Sequence, residues 1–116
     1  PALFALATLT AAAAVQAHHG WTWTTGGNIE LTGVITAVAL GNPHGILEVD
    51  VEGETWTLEV GQPWRNEDAG LEDGDLAEGV EIRAIGEPSA DPAQRLLKVE
   101  RLYLGEEEFI LYPNRD

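Results

Sequence analysis

A two-residue alternation of apolar and polar side chains runs through most of the chain after residue 28, and it constrains the fold more than any other feature. The longest example is 29–40, where apolar side chains alternate with Glu30, Thr32 and Thr36, and Gly33 interrupts midway. Successive side chains of a strand point to opposite faces, so this period predicts half-buried strands. A glycine inside such a segment is typical of a bend or bulge, and we expect the strand to curl there.

Shorter strand patterns follow the long one. They cover residues 47–51, 55–60, 80–85, 96–104 and 106–111. The turn Glu52-Gly53-Glu54 joins the first two into a hairpin, with Trp56, Leu58 and Val60 expected to point inward. The apolar phase of the fifth strand changes near Arg101, which indicates another bulge.

The segment between the third and fourth strands breaks the alternation. We expect a short helix starting near Pro63, with Leu71 packed below it. A long bent first strand, five strands in all and a helical insertion after the third predict an all-β protein, a small five- to six-stranded barrel of OB-fold type. A Greek-key or SH3-like barrel is the alternative. The domain is expected to cover 29–112, followed by a tail at 113–116.

The first 17 residues have a different composition from the rest. They are apolar, alanine-rich and uncharged, and they end in Val15-Gln16-Ala17, the small-x-small pattern that precedes signal-peptidase cleavage. We therefore predict a signal-peptide helix at 1–17, truncated at its start because the chain has neither an initiator Met nor a basic n-region there. The apolar run is too short to span a bilayer as a helix. The interpretation is a periplasmic or secreted protein with no stable membrane insertion after cleavage.

Composition excludes several classes of function. Twenty acidic and six basic residues give a formal charge of −14, which disfavours nucleic acid and anionic lipid as partners. Cysteine is absent, so thiolate chemistry, thiolate metal sites and disulfides are excluded. The only serine is Ser89, in a proline-rich loop, and no phosphate-loop, zinc or calcium motif matches. We therefore expect a protein that is not an enzyme.

The three histidines are the residues with the clearest chemistry. His18 would become the first residue after cleavage, with His19 beside it, and His44 lies in the sequence Asn42-Pro43-His44-Gly45. Type I turn preferences explain Asn42, Pro43 and Gly45 but leave His44 without a role.

Imidazole nitrogens together with a terminal amine favour Cu(II), so His18, His19 and His44 are the candidate metal ligands and copper is the candidate cofactor. Twelve residues of straight strand span about 40 Å, which would separate His18 from His44. The N-terminal arm, 18–28, would have to fold back along the strand. In the alternative, His18 and His19 belong to a solvated arm and His44 is a turn residue.

Aromatic residues give a second set of candidates. Trp21 and Trp23 are two residues apart and would face the same side of an extended arm, either closing one end of the barrel or exposed for binding. We take Trp21, Trp23, Asn42 and Trp64 as candidate ligand-binding residues.

Three segments carry a resemblance to a known family. They are His18-His19-Gly20-Trp21, Leu31-Thr32-Gly33-Val34-Ile35 and Asn42-Pro43-His44. Together they resemble a family of small exported bacterial proteins of unknown function with a His-His mature N-terminus and an Asn-Pro-His turn. The resemblance covers nearly all of the chain after residue 17; it implies export and a small barrel, and no activity. A weaker similarity is to periplasmic stress-induced OB-fold proteins, which implies ligand binding without catalysis.

The sequence therefore predicts an exported small β-barrel that binds a ligand, with copper favoured. The alternative is a structural or interaction module that docks a protein or polymer partner, of unknown identity, through its Trp-bearing face.

The export hypothesis predicts the N-terminus of the protein in its native host. Because cleavage should follow Ala17, intact-mass analysis should show a chain that begins at His18. A retained leader would contradict this prediction, and it would also leave the amine of His18 in a peptide bond, where it cannot bind a metal.

Overall fold

The computed structural model describes residues 21–115, and the chain forms six strands and one short helix there. The elements are β1 Ile29–Ala39, β2 Ile46–Val51, β3 Glu54–Glu59, α1 Pro63–Asp68, β4 Glu81–Pro88, β5 Leu96–Leu104 and β6 Glu107–Ile110. Each lies where the sequence pattern predicts it, although β4 continues to Pro88. The predicted signal-peptide helix at 1–17 lies outside the described residues.

The strands form one sheet that closes into a barrel. Their order is β3-β2-β1-β4-β5-β6, and a parallel pairing of β3 with β5 joins the two sides. All other pairings are antiparallel. Five strands therefore make the barrel and β6 extends it at an edge, so the prediction of an all-β, OB-fold-like barrel is confirmed.

Strand β1 pairs with a different neighbour along each half of its length, and it bends between the two pairings. It pairs with β4 over residues 29–34 and with β2 over residues 34–39. At Gly33 the strand passes so close to β2 that a Cβ atom would lie 2.2 Å from the carbonyl oxygen of Asp50. Only glycine fits this close approach.

The bulge in β1 comes three residues after Gly33. The register passes from Ile35 opposite Val49 to Ala37 opposite Glu48. Thr36 therefore has no residue opposite it in β2. This extra residue shifts the alternation, so Val38 packs against the core while Ala39 is exposed. A strict two-residue alternation from Ile35 would instead have placed Ala39 on the core side.

The core lies inside the barrel. Its members are almost completely buried: Ile35, Leu47, Val49, Leu58, Val60, Ile82, Leu97, Val99 and Leu102 are each 1% exposed or less. Full burial of one such side chain stabilises the fold by about 1.5–3 kcal/mol. Leu71 is buried as predicted, whereas Trp56 is only half-buried and packs against the edge of the core.

A second bulge lies in β5, close to the position that the phase change near Arg101 predicted. Ile85 pairs with Arg101 and Gly86 with Val99, so Glu100 has no partner in β4. Its carbonyl oxygen instead accepts hydrogen bonds from the backbone N–H groups of residues 111 and 112, at 2.8 and 3.1 Å. The bulge therefore holds residues 111–115, which we call the C-terminal segment, against the barrel.

No helix among residues 21–115 is long and apolar enough to cross a membrane.

The close approach at Gly33 predicts a large effect of a small substitution. Gly33→Ala should lower the free energy of unfolding by about 1–3 kcal/mol, because the new methyl group meets backbone that cannot move cheaply. Gly41→Ala is the control, since a Cβ there meets nothing within 4 Å, and it should change stability by less than about 0.5 kcal/mol. Chemical denaturation of both variants tests this; equal effects would contradict the geometry described for β1.

Candidate functional site

A row of charged side chains crosses the outer surface of the barrel. In the register, Lys98 of β5 lies between Glu59 of β3 and Glu87 of β4. These residues alternate with core residues such as Leu58 and Leu97, so they point away from the barrel interior. Even so, Lys98 is 2% exposed and Glu87 3% exposed. We call this row, together with the bulge residue Glu100, the covered polar face.

The N-terminal arm and the C-terminal segment provide the cover. The ring of Trp21 lies 5.0 Å from Lys98 Nζ and 3.7 Å from the guanidinium carbon of Arg115. It meets the ring of Tyr112 edge-on at 5.2 Å. Cations are attracted to the faces of aromatic rings, so Trp21 is held by the charges that it covers. The expectation that Trp21 closes one end of the barrel is therefore wrong, because the ring packs on the outer surface.

Backbone contacts hold the arm in this position. Thr24 forms an isolated β-bridge with Ser89, and its hydroxyl donates a hydrogen bond of 2.6 Å to Glu87. Two further backbone hydrogen bonds flank the bridge, from Thr25 N to Pro88 O at 3.0 Å and from Ala90 N to Trp23 O at 2.8 Å. Residues 21–28 of the arm thus fold back along the barrel instead of extending from it.

His44 lies at one end of the covered polar face. Its Nδ1 atom is 3.6 Å from Glu59 Oε1, the oxygen that also forms an ion pair with Lys98 Nζ. The neighbouring Gly45 is tied to the end of β3 by hydrogen bonds with Val60 and Gly61. A continuous series of contacts therefore runs from Trp21 through Lys98 and Glu59 to His44.

The bend that carries His44 differs from the predicted type I turn. Gly45 N donates to Gly61 O and not to Asn42 O, and the Asn42–Pro43 peptide bond is cis.

Two buried carboxyl groups lie at the other end of the covered polar face. Glu87 and Glu100 line a cavity of about 330 Å³ together with Asn28 and Arg115. Arg115 forms an ion pair with Glu87, and its Nε atom lies 3.9 Å from Glu100 Oε2. Asn28 donates a hydrogen bond of 3.3 Å to Glu100.

The surroundings shift the pKa values of Glu87 and Glu100 in opposite directions. Burial disfavours the charged form of Glu87, but hydrogen bonds from Thr24 and Arg115 and the charge of Arg115 outweigh it, so its pKa is lowered. Burial is the largest influence on Glu100 and raises its pKa; the hydrogen bond from Asn28 and the charge of Arg115 lower it in part, and the negative charge of Glu87 raises it further, so the net pKa is raised. As the pH falls, Glu100 therefore takes up a proton before Glu87 does.

The exposed ring of Trp64 is linked to Tyr112 through Arg65. The guanidinium group of Arg65 lies over both Tyr112 and Trp64, at 4.3 and 4.5 Å from the ring centroids. Arg65 also donates a hydrogen bond of 3.1 Å to the carbonyl oxygen of Leu111. Trp64 itself is 55% exposed, so the stacked series ends at the solvent.

The structure brings together some of the predicted site residues. Trp21 and His44 belong to one series of contacts, and Trp64 joins it through Arg65 and Tyr112. Trp23 is half-buried and Asn42 is exposed on the bend. His18 and His19 lie outside the described residues, and residues 21–115 contain no group of three or more His, Asp or Glu side chains arranged to hold a metal ion.

Sequence reasoning missed the covered polar face itself. Charged side chains at Lys98 and Glu100, beside apolar ones, are typical of the solvent side of a strand. The one available signal was that Lys98 is the only lysine in the chain. Nothing in the pattern indicates that the arm covers it.

The carboxyl pair predicts opposite effects of two similar substitutions. A raised pKa means that Glu100 contributes stability below its unfolded pKa and loses it as pH rises through the folded value; for Glu87, with its lowered pKa, stability is lost as pH falls. Glu100→Gln should therefore raise the melting temperature at pH 7, and Glu87→Gln should lower it. Thermal denaturation between about pH 3 and pH 8 tests this, and both differences should shrink at the acid end. Two changes of the same sign at pH 7 would contradict the assignment.

Comparison with solved structures shows the fold. The S. pombe Stn1-Ten1 complex contains a similar chain, with 16% identity and a TM-score of 0.53 over 71% of this chain and 57% of that one. TiaS in complex with a tRNA, AMPCPP and agmatine gives 14% identity and a TM-score of 0.51, over 66% of this chain and 18% of that one. This chain therefore spans less than a fifth of TiaS. At such identities the similarity concerns the barrel alone.

No protein of curated function matches this chain. A family model does match, over residues 5–97, and it is described as a family of unknown function (DUF6152). This match includes both histidine motifs, the arm and the barrel as far as the start of β5. The chain therefore belongs to the family of unknown function DUF6152.

Proposed function

We propose that this protein is an exported binding protein, periplasmic or secreted and not an enzyme, that binds Cu(II) through His18, His19 and His44. The observation that supports this most is the path of the arm. Trp21 packs over Lys98, which shares Glu59 Oε1 with His44, so the described part of the arm reaches the same series of contacts as His44. A separation of about 40 Å, as a straight strand would give, is therefore not required.

Chain reach supports a shared site. Consecutive Cα atoms are about 3.8 Å apart, so His19 lies within about 8 Å of Trp21, measured between Cα atoms, and His18 within about 12 Å. Imidazole side chains add several ångströms to this reach. This reach supports a metal site shared by the histidines of the arm and His44.

The surroundings of His44 suit a metal ligand. Ligating histidines commonly have a carboxylate or carbonyl oxygen beside the ring nitrogen that does not bind the metal. Glu59 lies on the Nδ1 side of His44, which leaves Nε2 for a ligand, and the side chain is 28% exposed. The ion pair with Lys98 holds the carboxylate of Glu59 in place beside the ring. The acidic charge of the whole chain favours the approach of a cation.

The donor set favours copper. A terminal amine and imidazoles, without thiolate, are nitrogen ligands that suit Cu(II). Because His18 offers its amine only at a free N-terminus, the proposal requires cleavage after Ala17.

A second candidate function rests on Trp64. This ring is 55% exposed and stacks on Arg65, so the Trp-bearing face could dock a protein or polymer partner without any metal. The TiaS complex contains a tRNA, but we do not propose nucleic acid as a partner of this chain. The chain has only six basic residues and twenty acidic ones, so it would repel the phosphate backbone. Copper content after purification from the native host distinguishes the two candidates.

The copper proposal predicts the effect of one substitution. In protein that begins at His18, His44→Ala should weaken Cu(II) binding at least about tenfold, because one nitrogen ligand is lost. Affinity should also fall at acid pH, since only neutral imidazole binds a metal. Competition with a chelator of known affinity measures both.

Two controls define the outcome. Gly41→Ala adds a methyl group in the same connection at a position where a Cβ meets nothing within 4 Å, and it should leave the affinity unchanged, whereas acetylation of the terminal amine should reduce it. Equal affinity for the native protein and His44→Ala would overturn the shared site.

A further inference from the structure

An apolar groove lies on the barrel beside α1, among residues that the copper proposal does not use. It encloses about 290 Å³ between the end of β1, the helix and the loop that follows it. Leu71 and Leu76 are among its lining residues and are themselves 7% and 6% exposed. Leu40 lines it as well and is 49% exposed, so the groove presents an accessible aliphatic surface.

Acidic side chains surround this apolar surface. Glu67 of α1 and Glu72 and Asp73 of the following loop all line the groove and are exposed. Within residues 21–115 none of the three forms an ion pair, and no basic residue lines the groove. The groove therefore combines an aliphatic floor with three uncompensated negative charges.

The walls of the groove are held in place. Asn66 is buried and its amide group makes two hydrogen bonds of 3.0 Å with the backbone of Gly61, which fixes α1 against the end of β3. The loop is closed by Asp75, whose carboxylate accepts a hydrogen bond of 2.8 Å from Glu72 N. A groove with such walls loses little conformational entropy when a ligand binds.

We propose that this groove docks a basic, extended segment of a partner protein. One aliphatic side chain of the segment occupies the space above Leu71 and Leu76, and flanking lysine or arginine residues pair with Glu67, Glu72 and Asp73. The volume and the lining match one branched aliphatic side chain with its neighbouring backbone.

Other occupants fit the charges less well. A second copy of this chain carries the same charge of −14, and electrostatic repulsion opposes its approach to an acidic rim. Residues 1–17 contain no charged side chain that could pair with that rim. A metal ion is also a poor match, since residues 21–115 contain no group of three His, Asp or Glu side chains arranged to hold one.

The test uses a synthetic probe. A fluorescein-labelled peptide with a central leucine, flanked on each side by two lysines, is titrated with the purified protein, and anisotropy gives the affinity. Binding should weaken at least about threefold between about 50 and 200 mM NaCl, because exposed charges are screened. A second peptide with serine in place of the leucine should bind at least about fivefold more weakly, since the aliphatic contact is lost.

Matched variants locate the site. The double variant Glu72→Gln/Asp73→Asn should weaken binding of the leucine peptide by about fivefold or more, and Leu40→Ala by about threefold. Glu48→Gln/Glu52→Gln removes the same charge from exposed positions on β2 and its turn and should change the affinity less than about twofold. These residues are exposed, so circular dichroism should show every variant folded.

Three results would overturn the proposal. Equal binding of the leucine and serine peptides would show attraction to the overall charge alone. Equal losses in both double variants would show that the rim has no special role. Binding that appears only after residues 1–17 are removed would show that this segment occupies the groove. A loss of copper binding in His44→Ala leaves these outcomes unaffected, so the two proposals fail separately.

Discussion

The buried ammonium group of Lys98 is the feature on which the outer face of this protein depends. Removing such a charge from water costs several kcal/mol, which an opposite charge and favourable contacts must offset. Glu59 supplies the opposite charge, and the rings of Trp21 and Tyr112 lie 5.0 and 5.7 Å from Nζ. The arm carries Trp21 and the C-terminal segment carries Tyr112, so the attraction between Lys98 and these rings holds both segments against the barrel. The same ion pair holds Glu59 beside His44, so the geometry at the histidine follows from it.

The bulge at Glu100 gives the covered polar face its second end. Gly86 lies opposite the bulge, where a Cβ atom would be 2.0 Å from the carbonyl oxygen of Lys98, so β4 and β5 can approach each other only with glycine there. The extra residue places the Glu100 carboxyl group next to Glu87, and its carbonyl oxygen anchors the segment that leads to Tyr112 and Arg115. One irregularity in a strand therefore creates both the acid pair and part of its cover.

The two proposed binding regions share one short connection. Residues 40–45 join β1 to β2, with Leu40 lining the apolar groove and His44 contacting Glu59. Their chemistry differs, since one region combines nitrogen ligands with a buried ion pair and the other combines aliphatic surface with exposed carboxylates. Neither uses the barrel interior, which is filled by side chains that are 1% exposed or less. The barrel thus serves as a scaffold, and its loops and outer surface carry the candidate chemistry.

The sequence by itself determined the strands, the helix at Pro63 and the barrel class, because two-residue alternation and turn residues act locally. It also indicated the bulge near Arg101, since an extra residue changes the phase of a strand. It did not show that the outer face of β5, which carries Lys98 and Glu100, is covered by other parts of the chain. These two residues have the pattern of solvent-facing residues. Only the tertiary structure decided this: cation–aromatic contacts and a β-bridge between Thr24 and Ser89, far apart in the chain, fold the arm over the charges. Long-range contacts of this kind leave no periodic signal in a sequence.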